Sequence, residues 1–581
     1  MPTTHLVVAV DFGTTYSGVA IAETNVTGSQ AKPVGVIVDW PSVHTKVGTK
    51  EKVPTEIAYT TDGIRWVSDI PPKAARHMWM KLQLDRRQGG EADKILQEME
   101  SVHKAARQRP ADIIADFLAQ VRNHLVKVLD ERYGPELWKS LPIVLVITVP
   151  AVWSDLAKNR TMQAFDKAGF NQIGFPQLAR TLILSEPEAA AIFTIKTLRG
   201  RAQDEQLKVG DGIIICDMGG GTVDLTAYSV TGLQPTVIEE ATVGVGDQCG
   251  ATFVDRAFIH WLEDTLGMED FLKIAGCRAK DVPHTSPSQQ LGRILTDFIM
   301  EAKSGFSGNQ HNFLRLPAPL NRLDDDDSRG ICDGEIAISP DQMKSMFKSC
   351  IEKTFALLQE FICQFYIFLV GGFADSPYVY AQIKAFGERV GVTVIRPAYA
   401  WSAVVRGAAA RGLEINGDSL VKFRKCRRYY GTRCSPTFNS LIHSELDAFI
   451  DEYNGTKRSG NFIEWLLRKG QGLSTTRIAF TKLQVRASFW PDEVRRANVD
   501  LIASDADRMV TKADDPAVYT VARLCVDFGE VPALEFRTMQ SLSGRRYYEV
   551  DFSVEISVQS SLEFAVSVNG KRYGSLIAEY K

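Results

Sequence analysis

Two stretches of the sequence carry residues suited to holding phosphate and a metal ion. The first runs over residues 7–22 and contains DFGTTYSG, and the second runs over residues 213–230 and contains DMGGGTVD. When the two are aligned, Asp11 falls on Asp217 and Gly13 falls on Gly219. Each stretch offers backbone N–H groups, hydroxyls and one carboxylate, which suit a polyphosphate and its metal ion. We therefore predict a nucleotide clamp made of two turns that are far apart in the chain.

Further charged residues are candidates for the same site. Lys81 lies between Met80 and Leu82, where apolar neighbours could hold a cation in place. Glu186 precedes a proline at a predicted helix start, and Asp224 follows Asp217 by seven positions. The alternatives are a solvated surface lysine at residue 81 and an ordinary helix-start carboxylate at residue 186.

Four more residues could line a cleft. Lys303 and Ser307 are four residues apart near the end of a probable helix, which predicts that they share one face. Gly371 and Gly372 lie between an apolar strand and a helix, an order that points backbone amides towards a ligand. A surface turn is the alternative reading of residues 303–307.

These residues must be positioned by a sheet that is covered with helices. The segment 110–134 keeps one face apolar at helical spacing, with Gly134 as its stop. It is followed by the all-apolar strand PIVLVITVP, which predicts α/β layering. Beyond residue 468 alternating apolar and polar runs dominate, which predicts a separate all-β domain.

Composition limits the class of protein. The chain has 581 residues and a net charge of −3, so bulk electrostatics do not favour nucleic-acid binding. Nine cysteines are scattered singly, without a CxxC pair. The N-terminal apolar run has five residues, which predicts a strand and not a signal peptide, and no run reaches the roughly 18 residues of a membrane span. We expect a cytoplasmic protein with no membrane partner.

An acidic run nearly fits a calcium-binding loop. If Asp324 is taken as the first position, Glu335 falls at the twelfth, but the sixth is Arg329 where the loop requires glycine. We therefore predict a solvated loop at this point.

The five motifs DFGTTYSG, TVPAVW, SEPEAAA, DMGGGTVD and LVGGFADSP follow one another in an order that resembles the ATPase domain of the 70-kDa heat-shock protein family. That family belongs to the actin, sugar-kinase and heat-shock superfamily. LVGGFADSPYVY and CRRYYG resemble, more closely, the divergent heat-shock-like proteins common in filamentous fungi. The stretch FSVEISVQSSLEFAVSVNGK is similar to the peptide-binding β-domain of the chaperones.

The resemblance implies a duplicated actin-like ATPase fold followed by a small all-β domain. The implied boundaries are lobe I at 1–195, lobe II at 196–419 and the β-rich domain at 420–581, with the helix near 400–415 returning to lobe I. We expect no counterpart of the chaperones' helical lid.

The resemblance also implies roles for individual residues, with ATP or ADP and Mg²⁺ as ligands. Asp11 and Asp217 would hold Mg²⁺ through water. The residues implied in catalysis are Lys81, Glu186, Asp217, Asp11 and Thr222. The residues implied in nucleotide binding are Gly13, Thr14, Thr15, Tyr16, Gly219, Gly220, Gly221, Thr222, Asp224, Gly250, Lys303, Ser307, Gly371 and Gly372. Hydrolysis would depend on neutralised charge and a positioned water molecule.

The sequence departs from the family pattern at the residues that would contact the adenine of ATP. Phe373 and Asp375 stand where the family has Ser and Arg, Ser304 replaces a basic residue, and Trp401 replaces an acidic one. The choice between ATP and GTP is therefore open. The connection at residues 359–370 is also shorter than the family pattern implies, as a wrongly predicted gene model would produce.

Three functions remain open at this stage. The first is a slowly hydrolysing, chaperone-like ATPase whose nucleotide state biases a client-binding β-domain. The second is a non-catalytic nucleotide-binding switch or scaffold. The third is a small-molecule kinase of the same superfamily.

Overall fold

The structure is a computed structural model. It describes residues 4–24, 34–41, 50–71, 74, 76–85, 97, 110–198, 207–233, 236–283, 287–361, 366–414, 419–475, 480–558, 562–573 and 576–580. The short connection noted above falls partly outside these residues. The chain forms two compact units, Met1–Val421 and Lys422–Lys581.

The first unit contains two sheets built in the same way. In spatial order the strands of the first sheet are Gly35–Val36, Tyr16–Glu23, Leu6–Asp11, Ile143–Val149 and Leu178–Ser185, with Val53–Pro54 also paired to the second of them. The strands of the second sheet that lie wholly in the first unit are Thr236–Glu240, Val223–Leu233, Gly212–Met218, Tyr366–Val370 and Thr393–Ile395, with Val245–Asp247 also paired to the second.

Strand direction repeats between the two sheets as well. In each sheet the predicted hairpin pairs antiparallel, and its first strand pairs in parallel with a strand from later in the chain. A further parallel strand follows in each case. The repeat of order and direction confirms the predicted α/β class with a duplicated actin-like ATPase fold.

Alternate residues of the central strands fill separate cores, because successive side chains of a strand point to opposite faces. Val8 and Val10 pack in a core with the helices of the first sheet, whereas Val7 and Ala9 face a second core. Ile213 and other residues of the second sheet contribute to this second core as well. The shared core therefore joins the two sheets beneath the predicted site.

Helices cover both sheets. Their bounds are Pro110–Tyr133, Pro135–Ser140, Asp155–Lys167, Glu186–Leu198, Ala251–Leu266, Met268–Ala275, Gln289–Asp297, Pro340–Gln359, Pro377–Val390 and Ala403–Gly412, and a π-helical turn spans Phe298–Lys303. The predicted helix at 110–134 is confirmed, and Gly134 stops it at a φ of 79°. The sequence allows either Ser154 or Asp155 as the cap of the Asp155–Lys167 helix, and the Ser154 side chain takes that role by accepting from the amide of Ala157.

Two of these helices cross closely in the shared core. A Cβ atom at Gly407 would lie 1.7 Å from the carbonyl oxygen of Ala189, so only glycine allows this approach. The crossing fixes the Glu186–Leu198 helix, whose first residue is a predicted site residue.

The second unit is built from strands. One sheet has the order Phe462–Leu467, Tyr429–Cys434, Arg496–Ser504, Val518–Asp527 and Leu576–Tyr580, and the other contains Thr481–Phe489, Arg546–Val558, Leu562–Val568, Lys571–Tyr573 and Arg537–Gln540. Smaller pairs are Ala448–Ile450 with Lys457–Ser459, and Val421–Lys425 with Gly472–Ser474. A single apolar core draws on both large sheets. The C-terminal β region that the sequence predicts is therefore present.

Two smaller features complete the description. Asn312–Arg315, Glu335–Ile338 and Ile331–Cys332 form a three-stranded sheet beside the acidic run, and Ile57–Thr60 pairs with Gly63–Trp66. Within the described ranges, no helix has both the length and the apolar character that crossing a bilayer requires.

Candidate functional site

A cavity of about 1060 Å³ lies where the two hairpin turns meet. All but two of the predicted site residues line it: Asp11, Gly13, Thr14, Thr15, Tyr16, Lys81, Glu186, Asp217, Gly219, Gly220, Gly221, Thr222, Asp224, Lys303, Gly371 and Gly372. The two exceptions are Gly250 and Ser307.

Close contact between the turns explains the glycines of the second one. A Cβ atom at Gly220 would lie 2.3 Å from Oγ1 of Thr15, and one at Gly221 would lie 3.5 Å from Cγ2 of Thr14. A side chain at residue 220 would therefore push the turns apart. The duplicated hairpins thus face each other across the cavity, as a nucleotide clamp requires.

Gly250 lies behind the second turn instead of facing the cavity. Its amide donates to the carbonyl of Gly221 at 3.2 Å, and the amides of the next two residues donate to Gly219 and Gly220. A Cβ atom here would meet the carbonyl oxygen of Gly220 at 2.4 Å. Gly250 therefore lies where it supports the second turn from behind.

Ser307 is exposed and outside the cavity. Its hydroxyl lies 2.8 Å from Oε1 of Gln310 and donates to it. The expectation that Lys303 and Ser307 share a face assumed a regular α-helix. A π-helical turn at Phe298–Lys303 changes the register, and the last helical residue is Gly305. Ser304 lines the cavity instead.

Four carboxylates converge in the cavity, and burial shifts their proton affinities. Burial, with the negative charges of Glu186 and Asp224, raises the pKa of Asp217 to about 8. Burial also raises the pKa of Glu186 to about 7, although the neighbouring Lys81 ammonium opposes the change. Ionising all four carboxylates together is therefore unfavourable unless a further cation lies beside them.

Lys81 is fixed from two sides. Its ammonium forms an ion pair with Oε1 of Glu186 and lies 5.3 Å from the centre of the Trp153 ring. The residue is only 3% exposed, which excludes the surface-lysine alternative. Because Glu186 begins the helix that crosses at Gly407, the pair is anchored by the shared core.

Asp11 is held by two donors. Nζ of Lys52 donates to its Oδ2 at 2.7 Å, and the hydroxyl of Thr148 donates to its Oδ1 at 2.9 Å. Burial alone would raise the pKa of Asp11, but the charges of Lys52 and Lys81 lower it overall. Asp11 is therefore the carboxylate of the cluster that stays ionised most readily.

Asp224 is only partly satisfied by hydrogen bonds. Thr222 donates its hydroxyl to Oδ2 of Asp224 at 2.8 Å, while Oδ1 is buried without a hydrogen-bond partner among the described residues. Asp224 is also the cross-strand neighbour of Asp217. Burial raises its pKa. An unpartnered buried carboxylate oxygen is costly, and a cation or an ordered water molecule would relieve that cost.

The donor set fits Mg²⁺ better than a metal bound wholly by protein. Within the described ranges no three His, Cys, Asp or Glu side chains are arranged to enclose a metal ion. Mg²⁺ commonly keeps several water ligands and uses one or two carboxylates together with substrate phosphates. Asp11 and Asp217, on facing turns, match that requirement, and a cation beside them would favour the ionised form of Asp217.

The other end of the cavity is formed by aromatic and basic residues. Lys303 forms an ion pair with Asp255, and Trp401 lies against Gly372 and edge-on to Tyr16, with ring centres 5.6 Å apart. Phe373 also lines this region. An aromatic wall can stack on a nucleobase without distinguishing adenine from guanine.

The residue types in the two motifs predict both turns, but they do not identify several residues that contact Asp11 and Lys81. Lys52 and Thr148 contact Asp11, and Trp153 contacts Lys81. Lys52 belongs to the lysine-rich run KEKV, which reads as solvated surface. Trp153 is the last residue of the motif TVPAVW, which resembles the family motif but does not indicate a role for the tryptophan. The signal for Thr148 was its polar side chain inside an otherwise apolar strand.

Comparison with known proteins adds a relationship over most of the chain. A family model described as Hsp70 protein matches residues 7–422. The match begins in the first strand of the clamp and ends at the junction of the two compact units.

Several relatives are similar at low identity. Heat shock 70 kDa protein 12A of Homo sapiens is 24% identical over 504 residues, which cover 73% of this chain and 71% of that protein. Heat shock 70 kDa protein 12B of Homo sapiens is 23% identical over 512 residues, with the same two shares. A chaperone protein HscA homolog of Acinetobacter baumannii (strain AYE) is 27% identical over 195 residues, which cover 32% of this chain and 28% of that protein. These relatives do not test the narrower resemblance to fungal proteins, which stays a prediction.

Proposed function

The chain belongs to the Hsp70 family of nucleotide-binding proteins, and we propose that it binds ATP with Mg²⁺ between its two glycine-rich turns and hydrolyses it slowly. The observation that carries this proposal is that Asp11, Asp217, Glu186 and Lys81 line one cavity although they come from distant parts of the chain. The division of the first unit into lobes at residue 195 is part of the proposal.

The chain's own residues account for phosphate binding. Thr14, Thr15 and the Gly219–Gly221 backbone line the cavity and supply donors to the phosphate oxygens. Asp11 and Asp217 would hold Mg²⁺ through water, and the ion would neutralise charge that develops on the phosphates.

Glu186 and Lys81 are the pair that we assign to the attacking water. The Lys81 ammonium would stabilise negative charge on the γ-phosphate, and the carboxylate of Glu186 would orient the water and accept its proton at an oxygen atom. A pKa near 7 suits that task. Trp153 keeps the Lys81 side chain in place from its other side.

Phosphate release with saturating ATP and Mg²⁺ tests the proposal. We expect Lys81→Ala and Glu186→Gln each to lower kcat by roughly 10²- to 10⁴-fold while nucleotide affinity changes much less. Lys384→Ala, which changes an exposed lysine on the Pro377–Val390 helix, is the matched control and should keep the wild-type rate. Wild-type turnover no faster than that of the two variants would reject hydrolysis.

The non-catalytic switch remains the second candidate, because one contact favours it. Lys81 and Glu186 are paired with each other, so both must rearrange before they can act on water. A wild-type protein that binds nucleotide tightly but releases no phosphate would support the switch.

Polypeptide binding is the proposed role of the second unit. Its support is the family membership and the chaperone named among the relatives. Binding of an unfolded, carboxymethylated protein to the full chain, and its absence with residues 1–422 alone, would support this role. Equal binding to both would reject it.

A further inference from the structure

Lys52 is a buried lysine in the wall of the cavity that none of the five family motifs contains. Its ammonium lies 2.7 Å from Oδ2 of Asp11, and the residue is only 8% exposed. Lysine is almost never buried unless it is paired. Its pairing with Asp11 meets that requirement and also places a positive charge inside the cavity.

The backbone around Lys52 is attached to the first phosphate turn. The strand Val53–Pro54 pairs with the start of Tyr16–Glu23. Beyond it, the amide of Thr55 donates to the carbonyl of Thr15 at 2.8 Å, and the Thr55 hydroxyl donates to the carbonyl of Gly13 at 3.0 Å. Movement of the turn and of Lys52 is therefore coupled through several hydrogen bonds.

The other side of the segment is anchored as well. Glu51 forms an ion pair with Arg406 at 2.6 Å, on the helix that crosses in the shared core. Lys52 thus lies between a contact to the core helix and a contact to the turn. Such anchoring limits the freedom of the backbone that carries Lys52 and directs its ammonium towards Asp11.

The first hairpin also leaves room for the lysine stem. A Cβ atom at Gly18 would lie 3.1 Å from Cγ and 3.7 Å from Cε of Lys52. Because residue 18 has no side chain, the Lys52 side chain has room to extend past it and reach Asp11.

The surrounding charges determine what Lys52 does. The Lys52 ammonium contacts the Asp11 carboxylate at 2.7 Å, and the carboxylates of Asp217 and Glu186 line the same cavity. The ammonium therefore stays charged at neutral pH. It is one of two lysines set among the four carboxylates, so its removal would leave Lys81 alone to offset that cluster.

We propose that Lys52 is a built-in cation of the nucleotide site, whose ammonium offsets Asp11 so that phosphates bind beside it with reduced dependence on Mg²⁺. The inference rests on the proposed nucleotide-binding function. It concerns a specific property of the site, namely the coupling between metal and nucleotide.

Linkage defines the quantity to measure. If a metal strengthens nucleotide binding by some factor, the nucleotide strengthens metal binding by the same factor. The ratio of the nucleotide Kd in EDTA to the Kd in excess Mg²⁺ reports this factor without requiring any turnover. Lys52 should keep the ratio small in the wild type, because part of the positive charge is already present.

The experiment measures that ratio by isothermal titration with ATP and with ADP on the full chain. We expect the wild-type ratio to be below about tenfold, and Lys52→Gln to raise it by at least about tenfold, mainly by weakening binding in EDTA. Lys52→Arg keeps the charge and should restore a ratio near that of the wild type.

Two further variants separate the proposal from general electrostatics. Lys50→Gln removes a positive charge two residues away in the same wall and should leave the ratio near its wild-type value. Gly18→Ala keeps every charge but crowds the Lys52 stem, so it should shift the ratio in the same direction as Lys52→Gln, which keeps the test decisive if Lys52→Gln does not fold.

The outcomes are distinguishable. A wild-type ratio above about a thousandfold, an unchanged ratio in folded Lys52→Gln, or an equal effect from Lys50→Gln would each overturn the role of Lys52 while leaving nucleotide binding intact. A wild-type chain that binds neither nucleotide in the presence of Mg²⁺ would instead overturn the proposed function on which the inference rests.

Discussion

Single residues in the cavity are paired by charge, and the pairs are buried. Lys52 and Asp11 form one pair and Lys81 and Glu186 form another, with exposed fractions of 13% or less for all four side chains. A buried ion pair contributes little net stability compared with apolar residues, but removing one partner leaves an uncompensated charge. The pairs are therefore better explained by the chemistry of the site than by stability.

Lys52→Met tests this view through unfolding. We expect it to reduce the free energy of unfolding by about 3–5 kcal/mol, because the Asp11 carboxylate would stay buried without its partner. Urea unfolding followed by tryptophan fluorescence measures the change. Adding Asp11→Asn to Lys52→Met should recover most of the loss, since the charge that lacked a partner is then gone.

The control for this cycle is Lys384→Met, which changes an exposed lysine and should have an effect within about 0.5 kcal/mol of zero. A double variant as unstable as the sum of its two single changes would contradict a direct Lys52–Asp11 interaction.

At the scale of elements, local patterns predicted both hairpins and the long helix of the first unit. The strand–turn–strand order around Asp11 and Asp217 is specified by contiguous residues, so sequence reasoning could find both turns. The helix at Pro110–Tyr133 and its glycine stop were predicted for the same reason.

Features that depend on distant contacts or on helix irregularity were not predictable. The contact between Lys52 and Asp11 joins residues 41 positions apart, and no pattern in the run KEKV predicts it. The π-helical turn that removes Ser307 from the cavity breaks the spacing rule on which that prediction relied. Gly250 precedes the helix Ala251–Leu266, and its place behind the cavity wall depends on how the second turn packs against that helix start.

The acidic run beside the three-stranded sheet behaves as a structural loop. Arg329, which occupies the position where a calcium loop needs glycine, forms ion pairs with Asp326 at 2.6 Å and with Asp270 at 2.9 Å. It also donates to the carbonyl of Leu266 at 3.2 Å. Arg329 is therefore incompatible with a calcium-binding loop, and it attaches the acidic run to the end of the helix Ala251–Leu266.

Arg329→Met should therefore lower the Tm in a pH-dependent manner. Hydrogen bonds from Ser328 and Arg329 lower the pKa of Asp326 to about 2, and hydrogen bonds from Lys273 and Arg329 lower that of Asp270. For carboxylates with depressed pKa values, the stabilisation is present above the unfolded pKa of about 4 and is lost as the pH falls towards the folded value.

We expect Arg329→Met to lower the Tm by about 1–2 °C at pH 7, because these pairs are partly exposed to solvent, and by less at pH 3. Differential scanning calorimetry at both pH values measures the difference. Lys344→Met, which removes an exposed ion pair with Asp341, provides the control for loss of a surface pair. An equal shift at both pH values would show that Arg329 acts by packing alone.

On the scale of the whole molecule, the nucleotide cavity and the cores that support it belong to the first unit. The strands that repeat between the two sheets, the shared core and every residue that lines the cavity lie within Met1–Val421. The family match ends one residue later, at 422. The second unit has a core of its own.

This division predicts that residues 1–422 are sufficient for nucleotide binding. Because the shortened chain keeps all the cores of the first unit, we expect it to fold and to bind ATP with Mg²⁺ within about threefold of the full chain's Kd. Isothermal titration of both proteins measures this directly. Asp217→Asn in each protein supplies the control, since loss of the carboxylate on the second turn should weaken binding in both alike.

The rate of phosphate release then indicates what the second unit does. If nucleotide state is coupled to the second unit, its removal changes the free-energy difference between the two states, so the turnover of residues 1–422 should differ from that of the full chain at equal ATP occupancy. An unfolded polypeptide should change turnover in the full chain and leave residues 1–422 unaffected. Identical turnover in both proteins, with and without polypeptide, would mean that the clamp works independently of the β-rich unit.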